Sequence, residues 1–195
     1  MKFKHPARAL AIGLSMALAI GAAAPAAFAM GMMGSHHTVM VGGAPMYPSK
    51  NIIQNAVNSK DHTTLVAAVK AAGLVDTLEG PGPFTVFAPT NEAFAALPAG
   101  TVDNLLKPEN KATLTKVLTY HVVPGRLDSK ALDEQIKAGD GQASLKTVEG
   151  DSLIVKGSGK NLTVTDDKGN TANVTIPDVY QSNGVIMVVD KVLMP

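Results

Sequence analysis

The spacing of apolar residues changes once along this chain, near Tyr120, and that single switch limits the architectures open to it. Upstream, the apolar positions follow a helical period. In the stretch 51–58, Ile52, Ile53, Ala56 and Val57 share one face. Leu65, Val66, Val69 and Ala72 form a second stripe, and Gly73 follows as a stop signal. The run Gly80-Pro81-Gly82-Pro83 then breaks the chain ahead of a short strand candidate at 84–88. Beyond it, Thr90 or Asn91 can cap a helix that turns Phe94 and Leu97 inward. A further short helix is expected at 101–106. Leu114, Val117, Leu118 and His121 then repeat at i, i+3, i+4 and i+7. Downstream of Tyr120 the period becomes two. After a helix candidate near 129–136, short strands are expected at 143–147, 152–156, 162–165, 171–176 and 185–189. Gly- and Asp-rich turns separate most of them. Helices early and antiparallel strands late predict an α+β domain, with helices packed on a sheet or sandwich, and not alternating βαβ units.

The first 29 residues are a segment of another kind. Lys2, Lys4 and Arg8 precede an apolar, Ala-rich run from Ala9 to about Ala24, and Ala27-Phe28-Ala29 fits a small-x-small cleavage site. This order is that of a secretory signal cut near Ala29. The run is shorter than the roughly 20 apolar residues of a spanning helix, so the mature form is expected to have no stable membrane span. Its expected destination is the periplasm, the cell surface or the medium. Residues 30–47 follow with neither period and are read as a flexible arm. The domain is expected to cover 48–195.

Charge and cysteine content narrow the function classes. The chain holds 17 basic and 16 acidic residues and no Cys. A near-neutral balance without basic clusters argues against nucleic acid as a partner. Zero Cys removes disulfides, zinc ribbons and thiol nucleophiles, so an exported form must rest its stability on a packed core. No G-x-S-x-G elbow is present. Gly157-Ser158-Gly159-Lys160 is an incomplete phosphate loop, and residues 166–170 read as a hairpin turn, lacking a calcium loop's acidic pattern. Of the histidines, His62 is expected to be exposed at a helix start, and His121 to tie a helix to a strand. Met30, Met32, Met33, Met40 and Met46 gather with His36 and His37 in the arm. Thioether and imidazole ligands suit copper, so a periplasmic copper-binding protein using this arm is the alternative function.

Three longer stretches carry a resemblance. Residues 84–94 (FTVFAPTNEAF), 118–125 (LTYHVVPG) and 182–195 (SNGVIMVVDKVLMP), in this order, resemble the two conserved blocks and the Tyr-His motif of the fasciclin (FAS1) domain family. The plan is similar to its small secreted single-domain bacterial members. The resemblance implies a wedge-shaped β-sandwich with a cluster of α-helices. It implies a non-enzymatic adhesion or partner-binding module without a cofactor, meeting a protein or polysaccharide at the cell surface. It also implies candidate binding residues. Tyr120 and His121 fall on the motif tied to integrin binding in animal members, and Pro177-Asp178 falls on a Pro-Asp motif of some of them, which makes Asp178 the third candidate. The second block often has His where this chain has Met187.

Overall fold

The computed structural model describes residues 37–195. The segment read as an export signal, together with Met30, Met32, Met33 and His36, lies outside them.

The helical half forms as its stripes predict. Helix α1 (Ile52–Ala56) starts at a capping box in which Asn51 accepts from the Gln54 N–H while the Gln54 side chain returns to the Asn51 N–H. Helix α2 (Thr63–Ala72) buries Leu65, Ala68, Val69 and Ala72, and ends where Gly73 takes the left-handed conformation at φ 72°. A short α3 (Val75–Glu79) follows before strand β3. The sequence pattern did not disclose α3 because one turn between two glycines shows no period. Thr90 caps α4 (Asn91–Ala95). Asn91, the other candidate cap, instead accepts from the Thr64 N–H and donates to the Lys60 carbonyl, fastening α4 to the start of α2. Helices α5 (Thr101–Leu105) and α6 (Lys111–Tyr120) complete this half.

The strand half builds one seven-stranded sheet. Strands β3 (Phe84–Pro89), β4 (Val122–Pro124), β5 (Gln142–Lys146), β6 (Ser152–Ser158), β7 (Asn161–Thr165), β8 (Thr171–Gln181) and β9 (Gly184–Val189) take the order β4-β3-β9-β8-β7-β6-β5. Neighbours are antiparallel except β3 and β9, which run parallel with Phe84 opposite Gly184 and Pro89 opposite Val189. A Cβ on Gly184 would collide with the Phe84 carbonyl, so this close approach requires glycine. Two register shifts bend β8 between Val174 and Val179. The sheet is nearly closed, since the Val148 N–H just after β5 donates to the Val122 carbonyl of β4 at 2.7 Å. Helix α7 (Ser129–Ala138) packs Leu132 and Ile136 into the interior.

The period-two strands explain why there are two cores. On β9, Val185, Met187 and Val189 enter a cluster inside the sheet with Phe87, Tyr120 and Leu153. Ile186 and Val188 face the opposite way, into a second cluster with Leu65, Val69, Leu114 and Leu118 of the helices. Strands β3 and β9 are thus covered on both sides, as their nearly continuous apolar runs require.

Order begins earlier than the flexible-arm reading of 30–47 allows. Strands β1 (Val39–Val41) and β2 (Ala44–Met46) form a hairpin whose Val41 and Met46 are buried in the helical core. The chain leaving the hairpin is fixed by polar contacts with no sequence period. The Tyr47 N–H donates to Asn55 Oδ1 at 3.0 Å, and Asn55 Nδ2 reaches the Tyr47 carbonyl at 2.8 Å and the side chain of Gln181. The Ser182 N–H donates to the Lys50 carbonyl.

Candidate functional site

The Tyr-His pair sits where α6 hands over to β4, and both side chains are consumed inside the fold. Tyr120 is fully buried. Its hydroxyl donates to the Ser152 carbonyl at 3.2 Å and accepts from the Asp167 N–H at 3.0 Å. Burial, aided by nearby carboxylates, pushes the phenol up to about 12. His121 is 2 % exposed. Its Nδ1–H donates to the Val117 carbonyl at 2.8 Å, and its Nε2 accepts from the Leu193 N–H at 3.0 Å. An amide N–H can only donate, so the second bond fixes the neutral tautomer. Burial lowers this imidazole to about 4. Asp166 completes the latch: it accepts from Met194, Lys168 and Asn170 N–H groups, holding both the C-terminal residues and the β7–β8 turn. Residues 166–170 are therefore a self-capped turn.

We predict that Tyr120→Phe, which keeps the ring and removes only the hydroxyl, costs about 1–3 kcal/mol by orphaning the Asp167 N–H and the Ser152 carbonyl. Urea unfolding measures it, and an unchanged midpoint would show that the hydroxyl is dispensable.

Asp178 is placed apart from that pair, on the bent part of β8. It adopts φ 59°, a conformation uncommon outside glycine. Its carboxylate accepts from the Ser129 N–H at 2.6 Å and the Ser129 hydroxyl at 2.5 Å. Asp128 caps the same helix start by accepting from the Ala131 N–H at 2.8 Å, and Tyr180 donates to Asp128 at 3.0 Å. Two carboxylates at the N-terminus of α7 match the positive end of its dipole. Burial, then the hydrogen bond to Asp128, raises the Tyr180 phenol to about 12. Around this cluster the surface is only half closed. Ile176, Pro177, Asp178 and Tyr180 are partly exposed, and Arg126 is exposed while its guanidinium donates to the Gln181 and Ser182 carbonyls.

The three candidate binding residues thus fall into two groups, a buried latch and a half-exposed strip. Sequence patterns did not single out Arg126, Tyr180 or Asn183. Asn183 accepts from the Ile52 N–H and donates to the Leu78 and Gly80 carbonyls, joining α1, α3 and the β8–β9 turn. Its sequence signals are its place beside Gly184 and within the stretch 182–195.

His62 departs from the expectation of exposure. It is 3 % exposed, with Nδ1 at 2.9 Å from the Ser59 hydroxyl, because the hairpin closes over the start of α2. Of the copper alternative's residues, the described His37 and Met40 are exposed, whereas Met46 is buried and unavailable as a ligand. Among the described residues no three His, Cys, Asp or Glu side chains gather as a metal site, and no helix is long and apolar enough to cross a membrane.

Comparison with known proteins agrees with this architecture. The Fasciclin domain family model matches residues 60–195. The protein sll1483 of Synechocystis is 44% identical over 164 residues, which is 84% of each chain. The chain belongs to the fasciclin domain family. Another member, the immunogenic protein MPB70 of Mycobacterium bovis, is 40% identical over 145 residues, covering 72% of this chain and 66% of that one. The FAS1 domain pair of the insect cell adhesion molecule fasciclin I shares the fold, with a TM-score of 0.65 at 19% identity. The match covers 75% of this chain and 51% of that one. In this fasciclin domain the Tyr-His pair is a core latch, and the remaining candidate, Asp178, lies half-exposed on the bent β8.

Proposed function

We propose that this fasciclin-domain protein is exported and acts as a non-enzymatic adhesion or partner-binding module, making contact through the strip of Arg126, Ile176, Pro177, Asp178 and Tyr180. The observation that carries the reading is the division of labour in the site. Tyr120 and His121 are spent on internal hydrogen bonds, so a partner must be met elsewhere. The strip offers a cation, two partly exposed apolar residues and a strained, helix-capping aspartate on a bulged strand. Bulges re-aim side chains out of the regular pleat, and backbone strain of this kind concentrates at functional positions. The three-part N-terminus supports export, and the fold shared with a cell adhesion molecule supports the binding role. The partner is a protein or polysaccharide of the cell surface.

The test is capture of envelope or matrix components by immobilised protein comprising residues 30–195. The double variant Arg126→Glu, Ile176→Asp is expected to lose at least tenfold in capture per folded molecule, read well below its own melting temperature, because Ile176 also packs against the helical core and Arg126 also holds the Gln181 and Ser182 carbonyls. Capture that survives the double variant intact, or wild type that captures nothing, would overturn this reading.

A further inference from the structure

The methionines of this chain are unevenly placed. Four of the nine, Met30, Met32, Met33 and Met40, fall within eleven residues, with His36 and His37 between them. From 30 to 49 the sequence holds no Asp, Glu, Cys, Lys or Arg. Apart from hydroxyls, the side-chain donors there are thioethers and imidazoles. The segment lies upstream of the fasciclin match, which begins at residue 60.

The fold separates two methionines that the sequence treats alike. Met46 of the β1–β2 hairpin is buried in the helical core together with Val41. Met40 lies opposite Pro45 in the register and is 58% exposed. Successive side chains of a strand point to opposite faces, so the hairpin holds Met40 outward by holding Val41 inward. With more than half of its surface left in water, packing gives little reason for a methionine there. His37, three residues before it, is also exposed. Met30, Met32, Met33 and His36 lie outside the described residues and enter by donor chemistry and spacing. Gly31 and Gly34 stand among them, and glycine admits the tight turns with which a short chain surrounds a small ion.

We propose that this segment is a binding site for monovalent copper, Cu(I), held by the thioethers of Met32, Met33 and Met40, with Met30 and the His36 and His37 imidazoles as the further donors available to it. Soft thioether sulfur selects Cu(I), whereas magnesium and calcium seek carboxylate and carbonyl oxygen and find no carboxylate here. Zn(II) is held by thiolate, imidazole and carboxylate, and of these the segment supplies only two adjacent imidazoles. Thioethers do not pair into disulfides as thiols do, so the donor set suits the oxidising surroundings of an exported chain. The site uses no residue of the β8 strip, so failure of either reading leaves the other standing.

The probe is Cu(I), added without oxygen as its acetonitrile complex to protein comprising residues 30–195 with isotope-labelled methionine methyls. Saturable NMR shifts are expected at the methyls of Met32, Met33 and Met40, while the buried Met46 and Met187 stay unmoved. Zn(II) at the same concentrations should leave the Met40 methyl where it is. By calorimetry, Met32→Leu, Met33→Leu and Met40→Leu together should weaken Cu(I) roughly tenfold or more. Met46→Leu, a volume-conserving change in the core, should leave the affinity unaltered. Met40 is the one described residue that the triple variant changes, and it is exposed, so melting should match wild type. No saturable shift at Met40 with Cu(I), an equal response to Zn(II), undiminished affinity in the triple variant, or a loss with Met46→Leu as large as the triple's would each overturn the proposal.

Discussion

His121→Ala is expected to lower the stability of the domain by about 3–5 kcal/mol, at the upper end of single substitutions. The ring spans two groups, the Val117 carbonyl and the Leu193 N–H. In α6 the next turn does not reach the Val117 carbonyl, because the His121 N–H bonds to Leu118 instead. Nδ1–H therefore supplies the hydrogen bond that the helix end lacks. Nε2 receives the Leu193 N–H, which is buried with the rest of that residue. Alanine orphans both groups, at roughly 1–3 kcal/mol each, and leaves a cavity in their place. For a domain of this size the melting temperature should fall by about 6–20 °C, at roughly 2–4 °C per kcal/mol. Partner capture by the folded fraction at low temperature should match wild type, since the ring has no surface to offer. Unchanged melting with lost capture would return His121 to the binding surface.

That outcome bears on what could be read before the structure. The change of period at Tyr120 foretold the order of helices and strands, because both periodicities follow from one-sided or two-sided burial. The strands of β3 and β9 were legible as covered on both faces, since Phe84–Ala88 and Val185–Val189 carry apolar residues at nearly every position. The hairpin at 39–46 was not legible. Three-residue strands show no period, and the hydrogen bonds that fix the following chain come from Asn55 and Gln181, whose burial no pattern announces. His62 was misjudged for a related reason: its neighbour Asp61 and its place at a helix start suggest solvent, but the hairpin covers it. At the site, family resemblance located Tyr120, His121 and Asp178 without saying which of them face inward. The answer depends on contacts 30 to 70 residues away in sequence, with Ser152, Asp167 and Leu193, and these arise only when the sheet nearly closes.

The two buried histidines also give the domain an acid-sensitive stability whose sign can be worked out. A free histidine titrates near 6.5, whereas burial holds His121 to about 4 in the folded state and lowers His62 in the same direction. Above pH 6.5 both rings are neutral whether or not the chain is folded, and their contribution is fully present. As pH falls below 6.5 the unfolded chain takes up protons that the native state refuses, so stability drops toward the folded pKa. His121 alone should remove about 2 kcal/mol between pH 7.5 and 5, and about 3 kcal/mol once its folded pKa is passed, at about 1.4 kcal/mol per pH unit. His62 adds to the loss with the same sign. Protonation would also convert His121 Nε2 from acceptor to donor and set it against the Leu193 N–H, releasing the C-terminal residues that Asp166 and His121 hold together. Urea unfolding in steps from pH 7.5 to 5, above the range where ordinary carboxylates titrate, isolates the effect. His121→Gln should flatten most of the slope, with the remainder belonging to His62. A wild-type profile that stays level from pH 7.5 to 5 would mean that neither ring is held neutral by burial, and that the latch does not depend on the neutral tautomer of His121.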